Sequence, residues 1–81
     1  MNIYDRILGI ICELFPHIEI NDLKKNNLLN CGIDSFGYVN LILNLEKEFE
    51  ISFDELMYDK NALKKIDDFA IYIEELLKVK K

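Results

Sequence analysis

The sequence predicts an all-α protein: a small antiparallel bundle of three main helices plus one short helix, with a long loop between helices 1 and 2. Three observations support this prediction. Half of the residues (51%) are apolar, only 3 are Gly and 1 is Pro, and the apolar residues recur at helical spacing. Because 81 residues have room for one hydrophobic core, residues 1–81 are expected to form a single domain.

The first helix is predicted from about residue 3 to residue 15. Its apolar stripe consists of Ile3, Ile7, Ile10 and Leu14. Asn2 is a favourable N-cap, because its side-chain oxygen can accept a hydrogen bond from a free backbone amide of the first turn. Pro16 has no backbone N–H to donate and therefore ends the helix.

Residues 16–34 form the long connection. The apolar residues scattered through it predict contacts with the core, and they are Ile18, Ile20, Leu23, Leu28 and Leu29. A connection of this length in a small domain is typically functional or held in place by its own apolar contacts. Both explanations apply here, because the connection ends at the pair Asp34-Ser35.

The second helix is predicted from about Ser35 to Glu50, a length of roughly 24 Å at 1.5 Å per residue. At about 100° per residue it carries two apolar stripes. The expected core stripe is Tyr38, Leu41, Ile42, Leu45 and Phe49. The second stripe is Phe36, Val39 and Leu43. A surface helix needs one apolar face, so the second stripe either packs under a neighbouring segment or forms an exposed recognition face beside Glu46 and Glu50.

A short helix is predicted at about residues 53–58, and the last helix at about residues 66–78. The inward-facing residues of the last helix are Ile66, Phe69, Ala70, Ile73, Leu76 and Leu77. Asp67 and Asp68 lie in its first turn and lysines lie at its end, and both placements complement the helix dipole.

Charge and cysteine content narrow the possible functions. The net charge of −5 argues against nucleic acid binding and suits either a basic partner surface or solubility alone. Cys12 and Cys31 are too few for a disulfide framework, and with one His they do not make a zinc site. No apolar run approaches the roughly 18 residues of a membrane span. Since Asp5 and Arg6 also make the N-terminus unlike a signal peptide, a cytoplasmic protein is expected.

Ser35 has the most informative position in the chain. A serine at a loop-to-helix junction is exposed, and the positive end of the helix dipole favours a phosphate there. Helix capping alone also explains Asp34 and Ser35 at this junction. Catalysis has little support, because the sole histidine, His17, lies in a loop and the serine is not in a G-x-S-x-G elbow. We therefore expect no enzymatic activity.

The segment from Leu29 to Ile51 resembles the phosphopantetheine attachment region of acyl and peptidyl carrier proteins. The matching residues are Gly32, Asp34, Ser35, Phe36 and the pattern Leu45-Glu46-x-Glu48-Phe49-x-Ile51, together with the apolar positions of the helix. The predicted order of helices is also similar to that family over most of the chain.

The resemblance implies a 4′-phosphopantetheine attached covalently to Ser35, with an acyl or aminoacyl group held as a thioester on its thiol. It implies that Asp34 caps the helix and helps the modifying enzyme to recognise the site. It also implies a partner-binding face of Phe36, Val39, Leu43 and Glu46. The expected partners are a phosphopantetheinyl transferase and adenylating or acyl-transferring enzymes, without nucleic acid or metal, and the protein is expected to be a monomer.

Two positions bear on the type of carrier. Fatty-acid carriers usually have acidic residues two and five positions after the serine, where this chain has Gly37 and Asn40. The sequence Ser35-Phe36-Gly37 looks closer to free-standing peptidyl carriers and D-alanyl carrier proteins. The leading hypothesis is therefore a free-standing carrier of an acyl or aminoacyl group. The alternatives are a fatty-acid or polyketide acyl carrier and, outside the family, a helical protein-interaction module without a cofactor.

Overall fold

The computed structural model describes residues 2–79, a stretch that contains four α-helices, two short 3-10 helices and no strand. The α-helices are α1 (Ile3–Leu14), α2 (Ile20–Lys25), α3 (Ser35–Phe49) and α4 (Ile66–Val79). The 3-10 helices are η1 (Leu28–Cys31) and η2 (Glu55–Tyr58). The all-α prediction is therefore confirmed, and the three main helices begin and end within one residue of the predicted bounds.

Helix α1 begins as its sequence predicts. The Asn2 Oδ1 atom accepts a hydrogen bond of 2.8 Å from the Asp5 amide, which satisfies one free donor of the first turn. The helix packs against α3 and α4 through its buried residues Ile7 and Ile11. It ends before Phe15, whose backbone leaves the helical region at φ −130°.

An arginine on α1 fixes the far end of α3. The Arg6 guanidinium forms an ion pair of 2.7 Å with the Glu48 carboxylate. Its carbon atom Cζ also lies 4.3 Å from the centre of the Phe49 ring, a cation–π distance. These contacts orient the C-terminal end of α3, which lies opposite its start at Ser35.

The connection between α1 and α3 was expected to be a loop, but it contains α2 and η1. Helix α2 has only six residues and buries only Leu23, so it leaves no periodic apolar stripe in the sequence. Its N-cap, Glu19, forms no side-chain capping bond. The predicted role of the apolar residues is confirmed at Ile18, Leu23 and Leu28, which are buried in the core, but not at Ile20, whose side chain is exposed.

The core surrounds α3. Its members are Ile7, Ile11, Ile18, Leu23, Leu28, Ile33, Tyr38, Leu41, Ile42, Leu45, Phe49, Phe53, Leu63, Ile66, Phe69 and Ile73. All five residues of the predicted core stripe of α3 are buried, which confirms that prediction. An aromatic cluster joins α3 to α4, with ring centres 5.8 Å apart for Tyr38 and Phe69 and 6.4 Å apart for Phe53 and Phe69.

Within residues 2–79, no helix combines the length and the apolar character needed to cross a membrane.

Candidate functional site

Ser35 is the first residue of α3, and the chain before it determines how it is presented. Gly32 ends η1 with φ +97°, a left-handed conformation that glycine adopts without steric cost. Ile33 then turns into the core, and Asp34 is extended. The outcome is an exposed Ser35 directly after a buried residue, at the start of a 15-residue helix.

The first turn of α3 combines a cap with free backbone donors. The Asp34 Oδ1 atom accepts a hydrogen bond of 2.8 Å from the Gly37 amide, so the predicted capping by Asp34 is present. Within residues 2–79, the amides of Ser35 and Phe36 have no hydrogen-bond partner. Free N–H groups at the positive end of a helix dipole attract an anion, so the residues present fit a phosphodiester on the Ser35 hydroxyl.

The described part of the chain offers Ser35 no catalytic base. The Ser35 Oγ atom forms no hydrogen bond to any side chain or backbone group of residues 2–79. His17 is exposed and lines an open cavity with Cys12 and Pro16, where α1 gives way to α2. No group of three or more His, Cys, Asp or Glu in this part of the chain is arranged to hold a metal ion.

The second apolar stripe of α3 is mainly exposed. The side chains of Phe36 and Leu43 are 86% and 51% exposed, and Val39 is half-buried at the edge of the stripe. Of the two explanations for the stripe, packing under a neighbouring segment therefore applies at most to Val39. Leu56, which the sequence analysis did not identify, is 76% exposed on η2, the short helix that contacts α3. A single apolar residue in a four-residue helix gives no periodic signal.

Glu46 was expected to form the acidic rim of this face, and in the structure both of its carboxylate oxygens accept hydrogen bonds from within the protein. The Phe53 amide donates to Oε2 at 2.7 Å, and the Tyr58 hydroxyl donates to Oε1 at 2.9 Å. Burial, followed by the hydrogen bond and the negative charge of Glu46, raises the pKa of Tyr58 above its ordinary value of 10.0. Glu50, by contrast, is exposed.

Tyr38 makes a second polar connection between α3 and η2. Its hydroxyl donates a hydrogen bond of 2.8 Å to the Met57 carbonyl. Burial, opposed by a backbone contact with Leu63 and reinforced by the charge of Asp59, raises the pKa of Tyr38 to about 12. The hydroxyl therefore keeps its proton, and its donor role, well above neutral pH.

Cys31 lies four residues before Ser35 but is not an activated thiol. The side chain is half-buried, and its Sγ atom donates to the Asp22 carbonyl at 3.4 Å. Burial, and then the negative charge of Asp22, raises the pKa of the Cys31 thiol above 9.0. A thiol that stays protonated at neutral pH is a poor nucleophile, so Cys31 packs and does not compete with Ser35.

Residues 5–73 match a protein family described as "Phosphopantetheine attachment site". The D-alanyl carrier protein of Streptococcus suis (strain 98HAH33) is 40% identical over 53 residues, which are 64% of this chain and 66% of that protein. The D-alanyl carrier protein of Streptococcus mutans gives the same figures, so the chain spans slightly less than two thirds of the length of these relatives.

A third relative aligns over a longer stretch at lower identity. The acyl carrier protein of Campylobacter lari is 29% identical over 79 residues, covering 96% of this chain and 100% of that protein. No solved structure matches the chain.

Proposed function

We propose, since this chain belongs to the phosphopantetheine attachment-site family, that Ser35 is the residue to which the 4′-phosphopantetheine is attached. Members of this family carry the group covalently. The thiol at the end of the phosphopantetheine group holds the cargo as a thioester. The cofactor-free interaction module is therefore no longer favoured. We further propose that the chain is a carrier and not a catalyst, because its part is to present, hold and deliver the group.

The observation that carries the choice of Ser35 is its place at the start of α3. The chain has two serines and no threonine, so Ser52 is the other candidate hydroxyl of this type. Ser52 is also exposed, but it lies between the end of α3 and η2, away from any helix start of sufficient length to attract an anion. Ser35 combines exposure with two free amides and the dipole of a 15-residue helix.

Each residue of the first turn has a part in the attachment. The Ser35 Oγ atom would form a bond to the phosphorus of coenzyme A that bears the pantetheine. The P–O bond of the pyrophosphate would break with release of adenosine 3′,5′-bisphosphate, and the serine proton would pass to a base that the transferase supplies. Asp34 holds the Gly37 amide, which fixes the first turn and leaves the Ser35 and Phe36 amides for the phosphodiester oxygens. We also propose that the exposed Asp34 side chain helps the transferase to recognise the site.

The partner-binding face that we propose is Phe36, Val39, Leu43 and Leu56, with Glu46 at its edge. An 86% exposed phenylalanine next to Ser35 is costly in water and useful against an apolar pocket. The partners that this face would serve are a phosphopantetheinyl transferase and the enzymes that load or unload the cargo. Hydrophobic contacts ringed by polar groups suit such transient associations.

For the cargo, we propose an aminoacyl group, with D-alanine as the leading candidate. Relatives named D-alanyl carrier proteins share 40% identity with this chain over 53 residues. Gly37 and Asn40 also leave the first turns of α3 without acidic side chains after Asp34. A fatty acyl group is the second candidate, because the acyl carrier protein of Campylobacter lari aligns over its full length.

The attachment is tested by incubating the protein with coenzyme A and a broad-specificity phosphopantetheinyl transferase and recording the intact mass. We expect one phosphopantetheine adduct on the wild type, one on Ser52→Ala and none on Ser35→Ala. An adduct that persists in Ser35→Ala, or no adduct on wild type while a reference carrier is modified, overturns the assignment of Ser35.

The cargo is tested with the modified protein. One reaction supplies D-alanine, ATP and a D-alanine-activating adenylating enzyme, and the other supplies an acyl donor and an acyl-transferring enzyme. We expect a D-alanyl adduct that neutral hydroxylamine removes, as it removes thioesters. Loading of the acyl group alone would contradict the aminoacyl proposal and favour the second candidate.

A further inference from the structure

We propose that Glu46 is a positioning residue: its carboxylate holds η2 against α3 and so places Leu56 beside the second apolar stripe. This inference rests on the proposed partner-binding face. It gives Glu46 a different role from a charged group that touches the partner directly. Both roles require the residue at the edge of the face, but a rim contact depends on its charge, whereas the positioning role depends on its two hydrogen bonds to the η2 segment.

The Glu46 carboxylate accepts hydrogen bonds from both ends of the η2 segment. Phe53 lies before η2 and Tyr58 is its last residue, and each donates one hydrogen bond to a different Glu46 oxygen, at 2.7 and 2.9 Å. One side chain on α3 therefore spans a whole short helix. Hydrogen bonds to a charged acceptor are roughly twice as strong as those between neutral groups.

Apolar burial holds η2 only in part. None of its four residues is fully buried, Met57 and Tyr58 pack partly buried against the core, and Leu56 is 76% exposed. Its position therefore also depends on polar contacts. Glu46 provides two of them and the Tyr38–Met57 bond provides a third from α3, while the Asp54 amide donates to the Tyr72 hydroxyl of α4.

Removal of the Glu46 carboxylate would leave the part-buried Phe53 amide without its acceptor. An unsatisfied donor is costly, so the segment would rearrange toward water and carry Leu56 with it. The face would then lose one of its apolar contributors although Phe36 and Leu43 are untouched. Glu46 thus acts on partner binding through η2.

Three substitutions separate this role from that of a charged rim group. Glu46→Gln removes the charge but keeps a carbonyl acceptor for the Phe53 amide and an amide that can donate to the Tyr58 hydroxyl. Glu46→Ala removes both hydrogen bonds, and Tyr58→Phe removes one. Glu50→Gln is the matched control, because it removes a charge from an exposed glutamate one turn further along.

Amide hydrogen exchange of residues 53–58 gives the first readout, and it needs neither cofactor nor partner. We expect exchange of the Phe53 amide to rise about tenfold in Glu46→Ala, a few-fold in Tyr58→Phe and Glu46→Gln, and less than twofold in Glu50→Gln. Exchange in α1 should be unchanged in all four variants, which shows that the fold persists. Unchanged exchange of residues 53–58 in Glu46→Ala overturns the proposal.

The second readout is the phosphopantetheinyl transferase reaction on each variant. We expect KM for the carrier to rise in the same order as the exchange rates, with kcat retained. An equal rise in Glu46→Gln and Glu46→Ala, with Tyr58→Phe like wild type, identifies a charged rim contact and overturns the positioning role. The intact mass of Ser35→Ala tests the attachment site, and amide exchange tests the positioning role of Glu46. Either proposal can therefore fail while the other is still tested.

Discussion

The two 3-10 helices flank α3 but are anchored by different kinds of contact. Helix η1 buries Leu28, which is 1% exposed, and Ile33 follows it into the core at 2% exposed. A backbone hydrogen bond of 2.8 Å from the Leu28 amide to the Lys64 carbonyl adds to this anchor. Helix η2 has no fully buried residue. The Tyr38 hydroxyl donates a hydrogen bond to its Met57 carbonyl, and the Glu46 carboxylate accepts one from its Tyr58 hydroxyl.

The difference in anchoring corresponds to the residue that each segment exposes, which is Ser35 after η1 and Leu56 on η2. Full burial of a leucine or isoleucine contributes about 1.5–3 kcal/mol, whereas a typical hydrogen bond contributes about 1 kcal/mol net. The η1 segment, which precedes Ser35, is therefore held by stronger and less directional contacts than the η2 segment, which carries Leu56. A rigid attachment position suits one modifying reaction, and an adjustable neighbouring segment suits several partners.

The largest effect should come from the apolar anchor of η1. We expect Leu28→Ala to lower the free energy of unfolding by about 2–5 kcal/mol, because it leaves a cavity at a fully buried site. Urea denaturation followed by circular dichroism measures this change. The adjacent Leu29→Ala, at a half-buried site, is the control and should cost clearly less. Equal costs would show that η1 has no apolar anchor of its own.

High pH should weaken the polar anchor of η2. The pKa of Tyr38 is raised from 10.0 to about 12, so the unfolded chain loses this proton before the native protein does. The stability that Tyr38 contributes is complete below pH 10 and is lost as the pH rises toward about 12. Urea midpoints measured from pH 9 to pH 12 test this.

Tyr38→Phe is the control for the alkaline loss. In this variant the free energy of unfolding should fall less steeply between pH 9 and pH 12. It should still fall, because burial also raises the pKa of Tyr4 and Tyr58. Identical pH profiles for wild type and variant would mean that the Tyr38 hydroxyl is not protected.

At neutral pH, Tyr38→Phe should have a moderate effect of its own. It keeps the ring contact with Phe69 but removes the hydrogen bond to the Met57 carbonyl, so we expect a loss of about 1 kcal/mol in unfolding free energy. Amide exchange of residues 55–58 should rise while that of residues 28–31 stays unchanged. A parallel rise in both segments would contradict the independence of the two anchors.

The smallest effect concerns how tightly the first turn of α3 packs on the η1 side. A Cβ atom at Gly37 would lie 3.1 Å from Phe15 Cε1 and 3.2 Å from Ile33 Cγ2, whereas a Cβ at Gly9 in α1 meets nothing within 4 Å. We expect Gly9→Ala to raise the unfolding free energy by about 0.5–1 kcal/mol through helix propensity. Gly37→Ala should gain less, because Phe15 and Ile33 must move. Equal gains in thermal or urea denaturation would show that this turn is loosely packed.

The sequence was most informative where a pattern repeats within one helix. The cap at Asn2 and the core stripe of α3 follow from local chemistry and a period of 3.6 residues, and both are present. Helix α2 was missed because a six-residue helix with Leu23 as its only buried residue has no period to detect.

The candidate site divides in the same way. Its start at Asp34 and Ser35 could be read from the sequence, although the attachment to Ser35 stays a prediction. The hydrogen bonds that Glu46 accepts could not be read from the sequence. Their donors, Phe53 and Tyr58, are 7 and 12 residues away and come close to Glu46 only in the folded protein. A helical projection places Glu46 beside the exposed stripe but cannot show that both of its carboxylate oxygens accept hydrogen bonds within the protein.

The hydrogen bond between Leu28 and Lys64 also affects the order of events during synthesis. The loop that presents Ser35 is held by a residue made 29 positions after that serine, which takes about two to six seconds at ordinary translation rates. A nascent chain therefore exposes the serine before it can hold the loop in its final shape. An enzyme that recognises the finished loop would act on the completed fold and leave the growing chain unmodified.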